Sequence, residues 1–317
     1  MSEQTVRTPE SVQREIRKFR HKAEMPLYVI CTILGPVFLA VAVIAVFGQY
    51  GIVDKIKEGL ANADIAETNP EFSAFLFGFI AVFASIGAIG FIIYLVVLTL
   101  IEYYKMYSSN MAYAIRVSEK NFPEIYAKVQ EYSKLLGFKK EPEVYVEQMD
   151  GSLNAYASWV PGKNFVHLNA EVVELLYLEH KDLDTVCFIM GHEFGHLYYK
   201  HPVLLNNFLA SVGGNIPIIG QYFLGPLLSR AREYSVDRVA QILTEDKCGA
   251  DTMMFLAAGR HMYKYVDVDN YMEYVNKDKN FIEKFARFVK NLVASHPINP
   301  YRTKAIIDPE KKSGKLF

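Results

Sequence analysis

The stretch from residue 184 to residue 199 reads DTVCFIMGHEFGHLYY, and it decides what kind of domain this chain forms. It contains the pattern HExxH, filled by His192, Glu193 and His196. Residues i and i+4 project from the same face of a helix, so the two imidazoles can hold one Zn²⁺. Glu193 lies beside that face, where it could accept a proton from water at the metal and pass it to a leaving amine. The pattern therefore predicts amide hydrolysis.

The helix that carries this motif has recognisable ends. Asp182 or Asp184 can cap its first turn, and His201-Pro202 stops it after about Tyr199. The extended pattern HExxHxxGxxH would need Gly at position 199 and His at position 202, where this chain has Tyr and Pro. We therefore do not expect His201 to bind the metal.

A catalytic zinc site needs a third protein ligand and one open position. The stretch SRAREYSVD at 229–237 supplies Glu233 and Asp237, which are four residues apart and share a helical face. One carboxylate can bind the metal while the other orients a histidine, and we give the orienting role to Asp237. The alternative is an exposed charged face, in which these acids pair with arginines such as Arg230 and Arg232.

The composition indicates a chain that is partly embedded in a membrane. Hydrophobic residues make up 51% and charged residues 22% of the 317 residues, and the formal net charge is -1. Phosphate binding needs a clustered excess of Lys and Arg, so nucleic acid is excluded as a partner. The three cysteines show no paired spacing, which argues against a disulfide framework.

Two apolar intervals near the N-terminus are long enough to cross a bilayer. Residues 25–53 and residues 72–101 contain no charged side chain, and about 20 apolar residues suffice for one crossing. We predict a hairpin with spans at about 27–47 and 72–101. Residues 1–24 carry more basic than acidic side chains, whereas the connecting loop is acidic. The positive-inside rule therefore puts the N-terminus, and everything after the hairpin, on the cytoplasmic side of the cell (inner) membrane.

A third apolar stretch, residues 203–228, also lacks charged side chains but cannot be a single crossing. One crossing would separate Glu233 from His192 and His196, although all three must lie about 2 Å from one metal. Glycines and prolines interrupt the stretch. We therefore predict a re-entrant or surface hairpin that returns to the same side.

Short strands are predicted between the second span and the motif. Val144 to Val146, Asn154 to Ala157 and Asn164 to Leu168 are short runs near turn signals such as Asp150-Gly151. The simplest arrangement is a small antiparallel sheet in an α+β, mostly helical domain. The expected division of the chain is a basic N-terminal segment, the transmembrane hairpin and the metallopeptidase domain, at 1–24, 25–102 and 103–317.

Several motifs in the same order resemble the M48 peptidase family, which contains the HtpX heat-shock proteases and the CAAX-processing proteases. They are GHExxH at 191–196, SRxxExxxDxxA at 229–240, SHP at 295–297 followed by Arg302, and an NAxA-like segment that begins at Asn154. The resemblance extends over about 143–302. It implies one zinc ion per chain and a zincin-like domain.

Carried over to this sequence, the resemblance implies that His192, His196 and Glu233 bind the zinc ion. Glu193 would be the general base, and Asp237 would hold one of the ligating histidines.

The resemblance also implies roles for residues around the cleft. His296 would stabilise the oxyanion and Arg302 would hold the acidic pair; the alternative is a loop stop and a surface charge. Asn154, Ala155 and Tyr156 would form a sheet edge on which an extended substrate adds as a strand. The alternative for these three residues is an internal strand.

Together these expectations predict a membrane-anchored endopeptidase that hydrolyses membrane or misfolded proteins in protein quality control. Its partners would be polypeptide substrates and the lipid bilayer. A CAAX-type processing protease is the first alternative, although two clear spans are too few for the many-helix chamber of that branch. The second alternative is a non-catalytic, zinc-stabilised membrane scaffold or chaperone, which would have no use for Glu193.

Overall fold

The structure is a computed structural model, and it describes residues 7–49, 58, 70–179, 181–277, 280–308 and 314–316. The helices are α1 (Pro9–Phe19), α2 (Glu24–Gln49), α3 (Pro70–Tyr113), α4 (Pro123–Leu136), α5 (Ala170–Glu174), α6 (Leu183–Tyr198), α7 (Leu204–Gly214), α8 (Gly225–Thr244), α9 (Gly249–Ala258), α10 (Val268–Asn276), α11 (Phe281–Val293) and α12 (Asn299–Ile307). The strands are β1 (Ile115–Arg116), β2 (Glu143–Glu147), β3 (Ala155–Val160) and β4 (Lys163–Asn169). Two short π-helical segments lie at Leu175–Glu179 and Gly220–Leu224. The prediction of a mostly helical α+β chain is confirmed.

Helices α2 and α3 are the two described helices that are long and apolar enough to span a membrane. The candidate spans are Glu24–Ala42, with a mean hydropathy of 2.1, and Ile89–Tyr113, with a mean hydropathy of 1.7. Their apolar side chains face outward, as Ile33 at 62% exposure and Ile93 at 57% exposure illustrate. A soluble protein would bury such side chains, so both helices suggest membrane association. The predicted loop between the spans falls mainly outside the described residues.

The third apolar stretch folds back along α2 and leads into α8. It contains α7, the π-helical segment Gly220–Leu224 and the start of α8, and α7 packs along α2. A Cβ atom at Gly213 would overlap with the backbone carbonyl of Cys31, so the two helices are in direct backbone contact. Small residues at such a crossing are typical of helices that pack within membranes. Insertion of this stretch into the bilayer stays a prediction.

The small sheet is confirmed, but its pairing is mixed rather than wholly antiparallel. Its strand order is β1-β2-β4-β3, and β2 runs parallel to β4 while the other two pairs are antiparallel. The turn Pro161-Gly162 joins β3 and β4 into a hairpin. Because β4 lies between β2 and β3, β3 is left as an edge strand.

The main core lies between the sheet and the helices α4, α6 and α8. Helix α6 buries Phe194 in this core, where its ring contacts the rings of Tyr132 and Phe138. Helix α1 adds Val12 and Ile16 to the same core, at 2% and 0% exposure. The N-terminal basic segment therefore packs on α4 and α8 through its apolar face.

Candidate metal centre and active site

Helices α6 and α8 pack closely against each other. The side chain of Asp182 caps α6 by accepting a hydrogen bond of 2.9 Å from the Thr185 amide. A Cβ atom at Gly195 would lie only 3.0 Å from Cβ of Val236, so the absence of a side chain at Gly195 permits this close crossing. The crossing brings the acids of α8 to the histidines of α6.

His192, His196 and Glu233 form a cluster that could hold a metal ion. Nε2 of His192 lies 3.4 Å from Oε2 of Glu233, and Nε2 of His196 lies 3.5 Å from Oε1 of the same carboxylate. Ligands about 2.0–2.1 Å from a tetrahedral zinc ion are about 3.3–3.4 Å from one another. The three residues therefore fit a zinc ion by spacing and by donor type.

Asp237 contacts the nitrogen of His192 that points away from Glu233, and Arg302 binds Asp237. Oδ1 of Asp237 lies 2.8 Å from Nδ1 of His192, which leaves Nε2 to face the cluster. Arg302 donates two hydrogen bonds to the same carboxylate, one of 2.9 Å from Nε and one of 2.6 Å from Nη2. Burial alone would raise the pKa of Asp237, but the charge of Arg302 and the hydrogen bond from His192 lower it to about 2. Asp237 is therefore an anion that fixes the imidazole.

The electrostatics of the metal-free cluster favour a proton on His192. Burial alone would lower the pKa of His192, but hydrogen bonds to Asp237 and Glu233 outweigh it and raise the pKa to about 10. Burial alone would likewise raise the pKa of Glu233, but hydrogen bonds from the surrounding histidines hold it well below its usual range. A metal ion would replace the proton as the positive charge between these groups.

His296 stands at the mouth of the site. Its Nδ1 atom lies 2.8 Å from Oε2 of Glu233, and its side chain is 64% exposed. The hydrogen bond to Glu233 raises the pKa of His296, which favours the protonated imidazole.

A cleft runs from the cluster to the edge strand β3. Its lining includes Glu193, which is 7% exposed, as well as Asn154 and Ala155. Tyr156 is on the other face of β3, where its ring stacks on His167 with the centroids 4.7 Å apart. Adjacent strand residues face opposite sides of a sheet, so Tyr156 can meet a substrate in the cleft only through its backbone. The role of Asn154, Ala155 and Tyr156 as a substrate-binding sheet edge stays a prediction.

A further series of hydrogen bonds links His196 to Glu24, and it was not predicted from the sequence. His201 is outside the metal cluster, but its Nδ1 atom lies 3.0 Å from Nδ1 of His196. Nε2 of His201 in turn lies 3.1 Å from Oε1 of Glu24, at the start of α2. Arg20 and Ser235 also donate hydrogen bonds to the Glu24 carboxylate. Nothing in the sequence around Glu24, an acidic residue at the start of an apolar helix, indicates its contact with His201.

The sequence model of peptidase family M48 matches residues 119–310, which is more than half of the chain. The chain belongs to peptidase family M48. The M48 match contains the three residues of the metal cluster together with Glu193, and it makes the chain a metallopeptidase. Glu24 and the α1 helix lie outside the M48 match. No curated protein and no solved structure matches the chain.

Proposed function

We propose that this M48 peptidase is a membrane-bound zinc endopeptidase of the HtpX-like group, which cleaves membrane or misfolded proteins in protein quality control. The observation that carries the proposal is the spacing of His192, His196 and Glu233, which fits tetrahedral zinc. A zinc ion at this site would supply Lewis-acid polarisation of the scissile carbonyl and would lower the pKa of water.

The roles of the chain's own residues follow from their positions. Glu193 lines the cleft next to the ligands, so it takes the proton from the attacking water and delivers it to the leaving amine. His296 is close enough to donate a hydrogen bond to the developing oxyanion, and its raised pKa favours the donor form. Arg302 keeps Asp237 ionised and in place, and Asp237 fixes the tautomer of His192.

The substrate class is inferred from the shape and the location of the cleft. Because β3 is an edge strand beside the metal cluster, an extended polypeptide can add to it by backbone hydrogen bonds that do not depend on sequence. Helix α2 begins beside His201, so the cleft lies near the point where the chain would enter the bilayer. Both features favour unfolded segments of membrane proteins as substrates, on the cytoplasmic side.

Cleavage of casein and of an unfolded membrane protein by the detergent-purified chain tests this proposal. We expect Glu193→Gln to lower the cleavage rate by about 100- to 10,000-fold because it removes the base. Glu131→Gln, on the outer surface of α4, is the matched control and should keep full activity. Equal activity of wild type and Glu193→Gln would contradict the proposal. A zinc-loaded wild type without any cleavage would favour the scaffold function instead.

A further inference from the structure

We propose that Glu24 and His201 are positioning residues for the metal ligand His196. The start of the first membrane helix would then be part of the metal site. This inference rests on the proposed function, because it takes His196 to be a zinc ligand. It concerns a contact between parts of the chain that are 177 residues apart, one of which lies outside the M48 match.

The hydrogen-bonding rules of imidazole allow one consistent arrangement of protons. If Nε2 of His196 faces a metal, its proton is on Nδ1, and that N–H points at Nδ1 of His201 at 3.0 Å. Nδ1 of His201 must then accept, so the proton of the neutral ring is on Nε2 and is donated to Glu24 at 3.1 Å. In this arrangement each N–H of the two rings faces an acceptor, and the remaining nitrogen of His196 faces the metal site.

Burial makes this arrangement costly to disrupt. The side chains of Glu24 and His201 are 1% and 7% exposed, so water cannot readily replace a lost partner. The two ligating histidines are thereby supported in similar ways. His192 contacts the Asp237 carboxylate directly, whereas His196 reaches a carboxylate through His201. Carboxylates behind metal-bound histidines fix ring orientation and strengthen metal binding.

The alternative is that Glu24 has a purely structural role. Glu24 also accepts hydrogen bonds from Arg20 and Ser235, so it could simply anchor the N-terminal segment on α8. Ile16, which is fully buried in the core, anchors the same segment without touching the metal cluster. Ile16→Ala therefore loosens the segment but leaves the contacts of His196 in place.

Zinc affinity of the full-length, detergent-purified protein separates the two roles. Glu24→Gln should weaken zinc binding by about 10- to 100-fold in competition with a chelator. It should also alter the absorption spectrum of the cobalt(II)-substituted protein, while Glu24→Asp restores part of the affinity. Ile16→Ala should lower the melting temperature and keep zinc affinity near the wild-type value. If Glu24→Gln does not fold, His201→Phe tests the same link from its other end.

Results that would overturn the positioning role of Glu24 differ from results that would overturn the peptidase function. Wild-type zinc affinity in Glu24→Gln, or an equal loss of affinity in Ile16→Ala, would overturn the positioning role and leave the peptidase proposal intact. A wild-type protein that binds neither zinc nor cobalt would overturn both.

A second inference comes from helix α11, which is oriented opposite to the amphipathic helices of soluble domains. Its polar side faces the protein, where Arg287 donates a 3.0 Å hydrogen bond to the Val275 carbonyl and Asn291 is fully buried. Its apolar side faces outward, with Phe281 at 80% and Phe285 at 55% exposure. An amphipathic helix normally turns its apolar stripe toward the core. The outward stripe therefore needs an apolar partner.

The position of α11 points to the membrane as that partner. Helix α11 packs against the π-helical segment Gly220–Leu224, which in turn packs against the membrane helix α2. The same segment exposes Tyr222 and Phe223, at 51% and 44%. The apolar surface of α11 is therefore continuous with the side of the molecule from which α2 extends.

The charges on α11 favour an anionic surface. Lys284, Arg287 and Lys290 outnumber the one acidic residue of the helix, Glu283. Basic residues on the polar side and aromatic residues on the apolar side are typical of helices that lie in the headgroup region. We propose that α11 lies in the interface of an anionic bilayer and holds the cleft at the membrane surface.

A fluorescent label on a single introduced cysteine tests this second inference. The native cysteines are buried, so an environment-sensitive dye will attach to Phe285→Cys or to the control Lys290→Cys on the polar side of the same helix. The full chain is reconstituted into phosphatidylcholine vesicles with and without phosphatidylglycerol. We expect a blue-shifted emission and quenching by lipid-attached nitroxides at position 285, stronger with phosphatidylglycerol, and neither effect at position 290.

Other results would overturn the membrane assignment. Equal quenching of both labels by an aqueous quencher would show that α11 stays in water. A label at position 285 that is shielded only when the protein dimerises, and not by lipid, would assign the stripe to a second copy of the chain.

Discussion

Asp237 holds His192 through a 2.8 Å contact between Oδ1 and Nδ1, and this contact determines which nitrogen of the ring faces the metal cluster. Arg302 binds the same carboxylate through two hydrogen bonds, so the orientation of His192 on α6 depends on residues of α8 and α12. The site is therefore assembled by three helices that are distant in sequence.

Asp237→Asn should weaken zinc binding by about 10- to 100-fold, because the amide can present an N–H to His192 and loses the charge that Arg302 binds. The measurement is a zinc competition titration on the purified variant. Asp184→Asn, an exposed position on the same helix as the motif, is the control and should bind zinc like wild type. Unchanged affinity in Asp237→Asn would show that His192 does not depend on this carboxylate.

Zinc binding should weaken as the pH falls. Burial alone would lower the pKa of His192, but hydrogen bonds to Asp237 and Glu233 raise it to about 10 in the metal-free site. Zinc must displace that proton, so the apparent affinity should fall about tenfold per pH unit for each proton displaced, between about pH 9 and about pH 6. Asp237, with its pKa lowered to about 2, stays ionised throughout.

The same titration in Asp237→Asn is the control for this pH dependence. Loss of the carboxylate lowers the pKa of His192, so the affinity of the variant should stop rising at a lower pH than that of wild type. A flat pH profile in wild type would contradict a protonated metal-free site.

Gly213→Ala should destabilise the packing of α7 on α2. A Cβ atom at Gly213 would overlap with the carbonyl of Cys31, and relief of such overlap costs about 1–3 kcal/mol. Gly90→Ala in α3 is the matched control, because a Cβ atom there meets nothing within 4 Å. Thermal unfolding in the same detergent should show a lower melting temperature for the first variant only. Equal melting temperatures would mean that the backbones of α7 and α2 are not in contact at Gly213.

Ala155→Leu should raise KM for an unfolded substrate, because the larger side chain fills the cleft beside the metal cluster. Tyr156→Phe should leave KM unchanged, because the Tyr156 side chain packs on His167 on the opposite face of β3. Steady-state cleavage of casein by both variants compares the two faces of the strand directly. A higher KM in Tyr156→Phe than in Ala155→Leu would mean that the substrate binds to the face of β3 that carries the Tyr156 side chain, which would contradict this prediction.

The residues of the metal cluster were predictable because local helical spacing brings them together. HExxH places His192 and His196 on one face of α6, and the four-residue spacing does the same for Glu233 and Asp237 on α8. The requirement that all ligands meet at one metal also predicted the return of the apolar stretch between these helices. Such constraints act within one helix or between two motifs, so they can be recognised from residue spacing in the sequence.

Contacts that depend on tertiary packing were not predictable. Glu24 has the appearance of a charge at the edge of a membrane span, and only the docking of α1 and α2 brings it to His201. The parallel pairing of β2 with β4 likewise depends on where the β3–β4 hairpin docks, which strand composition does not determine.

The zinc content of the purified full-length protein, measured by atomic emission for wild type and Glu233→Ala, tests the proposed metal site most directly. The proposed metal site predicts about one zinc ion per wild-type chain, and a large loss of zinc in Glu233→Ala because two histidines alone bind the ion weakly. A wild-type protein without zinc under non-chelating conditions, or full zinc content in Glu233→Ala, would contradict it.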